Sequence, residues 1–238
     1  MKGIILAGGK GTRLSPLTKI TSKQLLPIYN KPMIFYPLNT LLKAGIKEIL
    51  IIVAPEYAGH FLHLLGSGKE YGAKFTYEIQ EEPKGLADAF IIGENFIGSE
   101  NVTLILGDNI FEDNLSNYIK KFKKGAKIFA KKVSDPKRYG VVEFDKNKKV
   151  LSIEEKPNKP KSNYIIPGIY IYDNRVINFA KTTIPSKRGE LEIVDMHKKY
   201  LELNELEVGF IKKKWFDTGT FESLLKANIW ASKRQDLI

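Results

Sequence analysis

Apolar runs of strand length alternate with helix-length amphipathic stretches through the first half of the chain. Gly3 to Leu6, Glu48 to Val53, Phe75 to Ile79, Val102 to Leu106 and Ala126 to Ala130 read as strands. Between them, Met33 to Lys43, Tyr57 to Leu65, Leu86 to Asn95 and Asn114 to Phe122 carry helical spacing. Pro32 suits the first position of the Met33 helix, and Gly45 closes it. Strands that are apolar along their whole length belong to a sheet covered on both faces. The pattern predicts the α/β class with a mostly parallel central sheet. In such sheets ligands bind beyond the carboxyl ends of the strands. The loops after Leu6 and after Leu106 are therefore the first places to look for chemistry.

The second half is more mixed. Gly140 to Phe144 and Val150 to Glu154 flank Asp145-Lys146-Asn147-Lys148, which reads as a hairpin. Ile165 to Tyr172 and Leu206 to Ile211 read as strands, and Glu190 to Leu203 and Phe221 to Lys233 as helices. No low-complexity linker or internal repeat interrupts the chain. The expectation is a single domain over 1–238 whose second part is a smaller, more antiparallel section.

The composition, 43% apolar and 27% charged, is that of an ordinary globular protein and argues against overall disorder. With no Cys, a disulfide scaffold, a Cys-ligated zinc site and a thiol nucleophile are excluded. No apolar run approaches the ~18 residues of a membrane span. The start turns Gly-rich at Gly8-Gly9, too soon for a secretory leader, so the expected location is the cytoplasm. The formal charge of +11 suits an anionic partner. Its lysines come in short scattered groups with acids nearby, and no nucleic-acid-binding motif accompanies them, so neither nucleic acid nor membrane is the expected partner.

The first strand runs into Gly8-Gly9-Lys10-Gly11-Thr12-Arg13-Leu14. Glycines let backbone N–H groups approach phosphate oxygens, and Arg13 adds a bidentate donor. The string is not a P-loop, and Leu14 stands where the dinucleotide fingerprint needs its third glycine. On spacing alone it is either an anion loop or a tight turn. Lys23, downstream, is either a second cation for that loop or an exposed lysine. Asp108 and Asp217 each follow a strand-like stretch. Each could be a Mg²⁺ ligand, since that ion takes one or two carboxylates plus phosphate oxygens, or a turn or cap acid. Thr218 or Thr220 could cap the last helix. Glu155 and Lys156 end a strand and could meet sugar hydroxyls and a phosphate, or form a charged edge turn. His60 and His63 read as packing or surface residues, and no nucleophile–base arrangement is legible.

These residues resemble the sugar-nucleotide pyrophosphorylases almost end to end. The likeness is carried by Gly8 to Leu14, Ser22-Lys23-Gln24-Leu25-Leu26-Pro27-Ile28-Tyr29 and Lys31 to Ile34. It continues through Gly85-Leu86-Ala87, Leu106-Gly107-Asp108-Asn109-Ile110-Phe111, Arg138 to Phe144, Glu154-Glu155-Lys156-Pro157, Arg188 to Ile193 and Asp217-Thr218-Gly219-Thr220. The Lys-Gln-Leu-Leu-Pro and Leu-Gly-Asp-Asn-Ile-Phe strings point to the dTTP-using branch. The resemblance implies a Rossmann-like nucleotidyltransferase fold and the joining of dTTP with glucose 1-phosphate, with 1–132 mainly nucleotide-binding and 133–238 mainly sugar-binding and carrying the second metal ligand. It implies a nucleotide site of Leu6, Gly8, Gly9, Gly11, Thr12, Arg13, Lys23, Gln24, Gln80, Gly85 and Asp108. The sugar phosphate would meet Asn109, Tyr139, Gly140, Glu155, Lys156, Ile166 and Tyr170. Asp108 and Asp217 would bind Mg²⁺, and the catalytic set would be Arg13, Lys23, Asp108, Lys156 and Asp217. Family members assemble as homo-oligomers, so that state is expected. Longer members carry a further C-terminal helical segment that shapes a regulatory nucleotide site and part of the subunit contacts; this sequence is expected to be a short form. A transferase using UTP or another sugar 1-phosphate, and a non-catalytic sugar-nucleotide binder, are the alternatives.

Overall fold

The computed structural model describes residues 1–234. Its elements are β1 (Lys2–Ala7), β2 (Pro27–Ile28), β3 (Lys31–Pro32), α1 (Phe35–Lys43), β4 (Glu48–Val53), α2 (Ala58–Leu65) and β5 (Lys74–Ile79). There follow α3 (Asp88–Ile92), α4 (Glu94–Ile97), β6 (Val102–Leu106), β7 (Asn109–Phe111), α5 (Ser116–Lys121), β8 (Ala126–Lys132), β9 (Gly140–Phe144) and β10 (Val150–Glu155). The chain closes with β11 (Tyr164–Ile165), β12 (Ile169–Tyr172), α6 (Val176–Lys181), α7 (Ile193–Glu202), β13 (Leu206–Phe210), β14 (Trp215–Asp217) and α8 (Phe221–Ser232). The α/β class expected from the hydrophobic pattern is the one observed.

Two compact units divide the chain, neither of them one continuous stretch. The first takes Met1–Pro83, Leu104–Asn117 and Lys213 onward. Here β1 pairs in parallel with β4, Gly3 opposite Ile49 and Ala7 opposite Val53, and β4 pairs in parallel with β5. The end of β6 lies beside β1. Ile4, Ile5 and Ile49 to Val53 are fully buried, as expected of strands covered on both faces. A short antiparallel ribbon joins β7 to β14, with Phe111 opposite Trp215 and Asp217 opposite Asn109. Its inner residues, Ile110 and Phe216, rest on Ile28, Met33, Tyr36, Ala227 and Trp230. Thr220 caps α8 in a reciprocal box with Ser223, as the sequence suggested.

The second unit takes Lys84–Thr103 and Tyr118–Lys212. β8 pairs antiparallel with β11 and β12 and parallel with β13, while β9 pairs antiparallel with β10 and β11. The expected hairpin is present: Asp145 Oδ1 accepts from the backbone of Asn147 and of Lys149.

Several boundaries differ from the sequence reading. Pro32 lies in β3 rather than at a helix start, and α1 begins at Phe35, because Met33 N bonds to Leu26 O and Ile34 N to Gln24 O. The expected Leu86–Asn95 helix is two short pieces divided at Gly93. The expected Ile165–Tyr172 strand is broken at Pro167-Gly168, as a proline without a donor would require. β7 and α6 have no signature in the sequence, being too short to show a period.

His197 of α7 is fully buried against Tyr170 and Tyr172, and neither ring nitrogen has a hydrogen-bond partner. Burial disfavours the imidazolium and pushes its pKa down to about 3. An unfolded chain would take up that proton near pH 6.5. Stability is therefore whole above pH 6.5 and falls as pH drops from there toward 3, by at most ~1.4 kcal/mol per pH unit. Urea midpoints measured between pH 7 and 4 should fall less steeply in His197→Gln than in the wild type.

Candidate functional site

The first unit holds the glycine-rich loop, Lys23, Gln24, Gln80, Asp108, Asn109 and Asp217. The loop leaves β1, and Gly107 N donates to Leu6 O (2.9 Å), which ties the turn carrying Asp108 to the end of β1. Gly11, at φ 62°, sits in the left-handed region and accepts from Leu14 N and from the Thr18 hydroxyl. A Cβ there would stand 3.1 Å from Lys23 Cβ, so the lysine stem lies against the loop. A Cβ on Gly8 would meet Gln80 Oε1 at 2.6 Å, which puts Gln80 at the loop's other side. Leu6, Gln24 and Gln80 are buried, while Gly9, Thr12 and Arg13 are exposed. Gln24 Oε1 accepts from Ser22 Oγ.

The β7–β14 ribbon brings the backbone at Asp108 beside the backbone at Asp217 and Thr218. Asp217 pairs with Asn109, and Thr218 donates both its N–H (3.0 Å) and its hydroxyl (2.7 Å) to the Asp108 carbonyl. Arg13 Nη2 would lie 2.7 Å from a Cβ on Gly219, and Asp217 Oδ1 3.2 Å from it, so the loop arginine reaches the Asp217 turn. Asn109 donates to Asp108 Oδ1 (3.0 Å) and accepts from Trp215 Nε1 (2.7 Å), which holds it in the ribbon beside Asp108. Lys23 Nζ is ion-paired to Asp108 Oδ2. Burial alone would raise the Asp108 pKa; the Lys23 charge and the hydrogen bonds from Lys23 and Asn109 outweigh it and hold the carboxyl below its ordinary value.

The donor set suits a hard cation. Asp108 and Asp217 supply oxygen, and among the described residues no group of three or more His, Cys, Asp and Glu is poised for a metal. Carboxylate oxygens completed by phosphate oxygens and water are a donor set that Mg²⁺ accepts, and neither histidine nor cysteine stands among these residues to favour zinc.

The second unit holds Gly85, Tyr139, Gly140, Glu155, Lys156, Ile166 and Tyr170. A Cβ on Gly140 would meet Val194 at 3.2 Å, Glu155 Oε2 at 3.3 Å and Ile166 at 3.8 Å, so these side chains converge. Ile166 N donates to Gly140 O, and Lys156 N to Tyr139 O. Lys156 has φ 44°, a conformation that costs a lysine on the order of 1–3 kcal/mol. Its ammonium lies 3.5 Å from Glu155 Oε1. Burial raises the Glu155 pKa, Lys156 and Arg188 oppose this, and Glu192 adds to it. Tyr170 is buried against His197.

Arg188 belongs to a stretch that carries the family likeness, but no role follows from its place in the sequence. It stands 3.6 Å from Glu155 Oε1 and bonds both oxygens of Glu192 at 2.8 Å. Its signal was an arginine preceding two acids, Glu190 and Glu192. Thr218 was read only as a helix cap, and its fixed contact with the Asp108 carbonyl had no sequence signature.

The sequence model of the family described as "Nucleotidyl transferase" matches residues 2–233. A glucose-1-phosphate thymidylyltransferase of Neisseria meningitidis is 51% identical over all of this chain and 84% of its own length. The Mycolicibacterium smegmatis protein of the same name is 51% identical over 96% of this chain and 81% of its own. A Bacillus anthracis structure assigned as a glucose-1-phosphate thymidylyltransferase, solved with sucrose, superposes with TM-score 0.93 at 44% identity, covering 99% of this chain and 96% of that one. A UDP-glucose pyrophosphorylase complexed with UDP-glucose superposes with TM-score 0.84 at 26% identity, covering 98% and 99%.

Gly85 has φ 107°, and a Cβ there would lie 2.5 Å from both the N and the O of Leu191. Backbone cannot step aside as a side chain can. Gly85→Ala should therefore lower the free energy of unfolding by about 1–3 kcal/mol, read from a denaturant midpoint.

Proposed function

Because the chain belongs to the nucleotidyl transferase family, we infer that it transfers a thymidylyl group from dTTP to glucose 1-phosphate, giving dTDP-glucose and pyrophosphate. A phosphate oxygen of the sugar attacks the α-phosphorus. The bond from that phosphorus to the bridging oxygen breaks, and pyrophosphate leaves with its electron pair. The attacking oxygen is already ionised at neutral pH, so no general base is required. Repulsion between two polyanions is the main obstacle, and cations with fixed positions are the remedy.

The observation that carries this reading is the ribbon placing Asp217 opposite Asn109, with Lys23 on Asp108 and Arg13 at the Asp217 turn. Leu6, Gly8, Gly9, Gly11 and Thr12 would line the nucleotide phosphates and ribose, with Arg13 and Lys23 as their cations. Gln24, Gln80 and Gly85 would meet the nucleoside. Gly140, Glu155, Ile166 and Tyr170 would surround glucose. Lys156 would hold the sugar phosphate, with Tyr139 and Arg188 in the same unit. Glu155 beside Arg188 and Lys156 is an acceptor for sugar hydroxyls that stays pinned by cations. Asp108 and Asp217 would hold Mg²⁺, which when bound neutralises charge on the phosphates. Correct placement of the two reactants can itself supply ~7–11 kcal/mol. Among the described residues no helix is long and apolar enough to cross a membrane. The family resemblance adds a cytoplasmic homo-oligomer to the reading.

The likeness to UDP-glucose pyrophosphorylase gives UTP a claim as the nucleotide. Thymine and uracil differ by one methyl group, worth ~1–3 kcal/mol, so kcat/KM should favour dTTP over dUTP by about 10–200-fold, and UTP, which also carries a 2′-hydroxyl, is assayed beside them. Pyrophosphate release from dTTP and glucose 1-phosphate with Mg²⁺ is the direct assay. Asp108→Asn should lower kcat at least about 100-fold, which is ~2.7 kcal/mol of barrier. Lys156→Ala should mainly raise the KM for glucose 1-phosphate. Wild-type turnover by Asp108→Asn at saturating Mg²⁺ would remove that residue from the site, and no pyrophosphate release by the wild type would overturn the assignment.

A further inference from the structure

We propose that Lys23 is a placeholder cation, holding the carboxylate a divalent metal needs until nucleotide phosphates draw the lysine away. The proposal rests on the reading of Asp108 as a metal ligand. Both partners are nearly enclosed, their side chains 14% and 10% exposed. Asp108 is satisfied without a metal: Oδ2 takes the ammonium and Oδ1 takes the Asn109 amide. A dication arriving alone would have to displace a cation already seated, in a setting where little water screens the repulsion.

The lysine is also placed to leave. It opens a single helical turn, Lys23–Leu25, whose carbonyl is anchored by Leu26 N. Its stem lies along Gly11, with Cδ 3.5 Å from a Cβ built on that glycine. The stem therefore follows the loop read as the phosphate cradle, and rotation about its outer bonds moves the ammonium between the acid and an anion held there. A triphosphate carries more negative charge than one carboxylate, so it wins the lysine and frees Asp108 Oδ2. Metal and nucleotide then tighten each other's binding by one common factor, as linkage requires.

The test is Mn²⁺ binding to the full chain without nucleotide, followed by electron paramagnetic resonance. Lys23→Gln should bind Mn²⁺ at least about tenfold more tightly than the wild type, within the range usual for coupled sites. Lys23→Arg, which keeps the cation, should bind as weakly as the wild type. The gain should vanish in Lys23→Gln combined with Asp108→Asn. Equal affinity in wild type and Lys23→Gln overturns the placeholder role while leaving the metal site intact. A gain that survives Asp108→Asn overturns the metal-ligand reading itself. Because Lys23→Gln leaves a buried carboxylate unpaired and can misfold, wild-type crystals soaked in MnCl₂ alone give a second readout. No anomalous peak at Asp108 is expected; a peak there overturns the proposal.

Discussion

The arrangement of charge in the first unit depends on three residues of antiparallel pairing between β7 and β14. Asp108 and Asp217 are more than a hundred positions apart, and no local element could bring them together. The ribbon does so by register, Asp217 opposite Asn109, and Thr218 fastens the join with two hydrogen bonds to one carbonyl. A ribbon this short has little stability of its own. It persists because Ile110 and Phe216 are pressed onto α1 and α8 residues, including Tyr36, Ala227 and Trp230. The C-terminal helix thus holds down the strand that presents Asp217, the proposed second metal ligand.

Each acid of interest is met by a cation of its own unit. Lys23 answers Asp108, Arg13 approaches Asp217, and Lys156 and Arg188 flank Glu155. This keeps the carboxylates charged in spite of their burial, at least for Asp108, where the net effect is downward. At Glu155 the balance tips the other way, because Glu192 adds a second negative charge and burial dominates. The excess of basic residues is thus used partly as local compensation, which a net charge alone does not reveal.

The parts of this molecule that follow a period were legible in the sequence. The strands β1, β4, β5, β6 and β8 lie close to where their apolar runs predicted them, and the Asp145 hairpin follows from its turn residues. Structure decided by tertiary contact was not legible. The β2–β3 ribbon claims Pro32 because Met33 and Ile34 bond back to Leu26 and Gln24, a pairing invisible in local spacing. The roles of Gly8 and Gly140 depend on which side chain leans against them, Gln80 in one case and Glu155 in the other. Family likeness implies these residues as a set; the fold decides what each one touches. The contacts of Arg188 are not legible in the sequence, because a lone arginine before two acids looks like any solvated surface turn.

The contact between Gly85 and Leu191 reaches beyond its own residues. Leu191 N bonds to Lys84 O and Ala87 N to Leu191 O, while Ser186 N bonds to Glu190 O to close the neighbouring turn. Two loops a hundred residues apart are thereby stitched into one panel, with Gly85 on one edge and Arg188 on the other. A chimera that imports one of these loops from a relative must import its companion too, because the seam has no slack to absorb a mismatch.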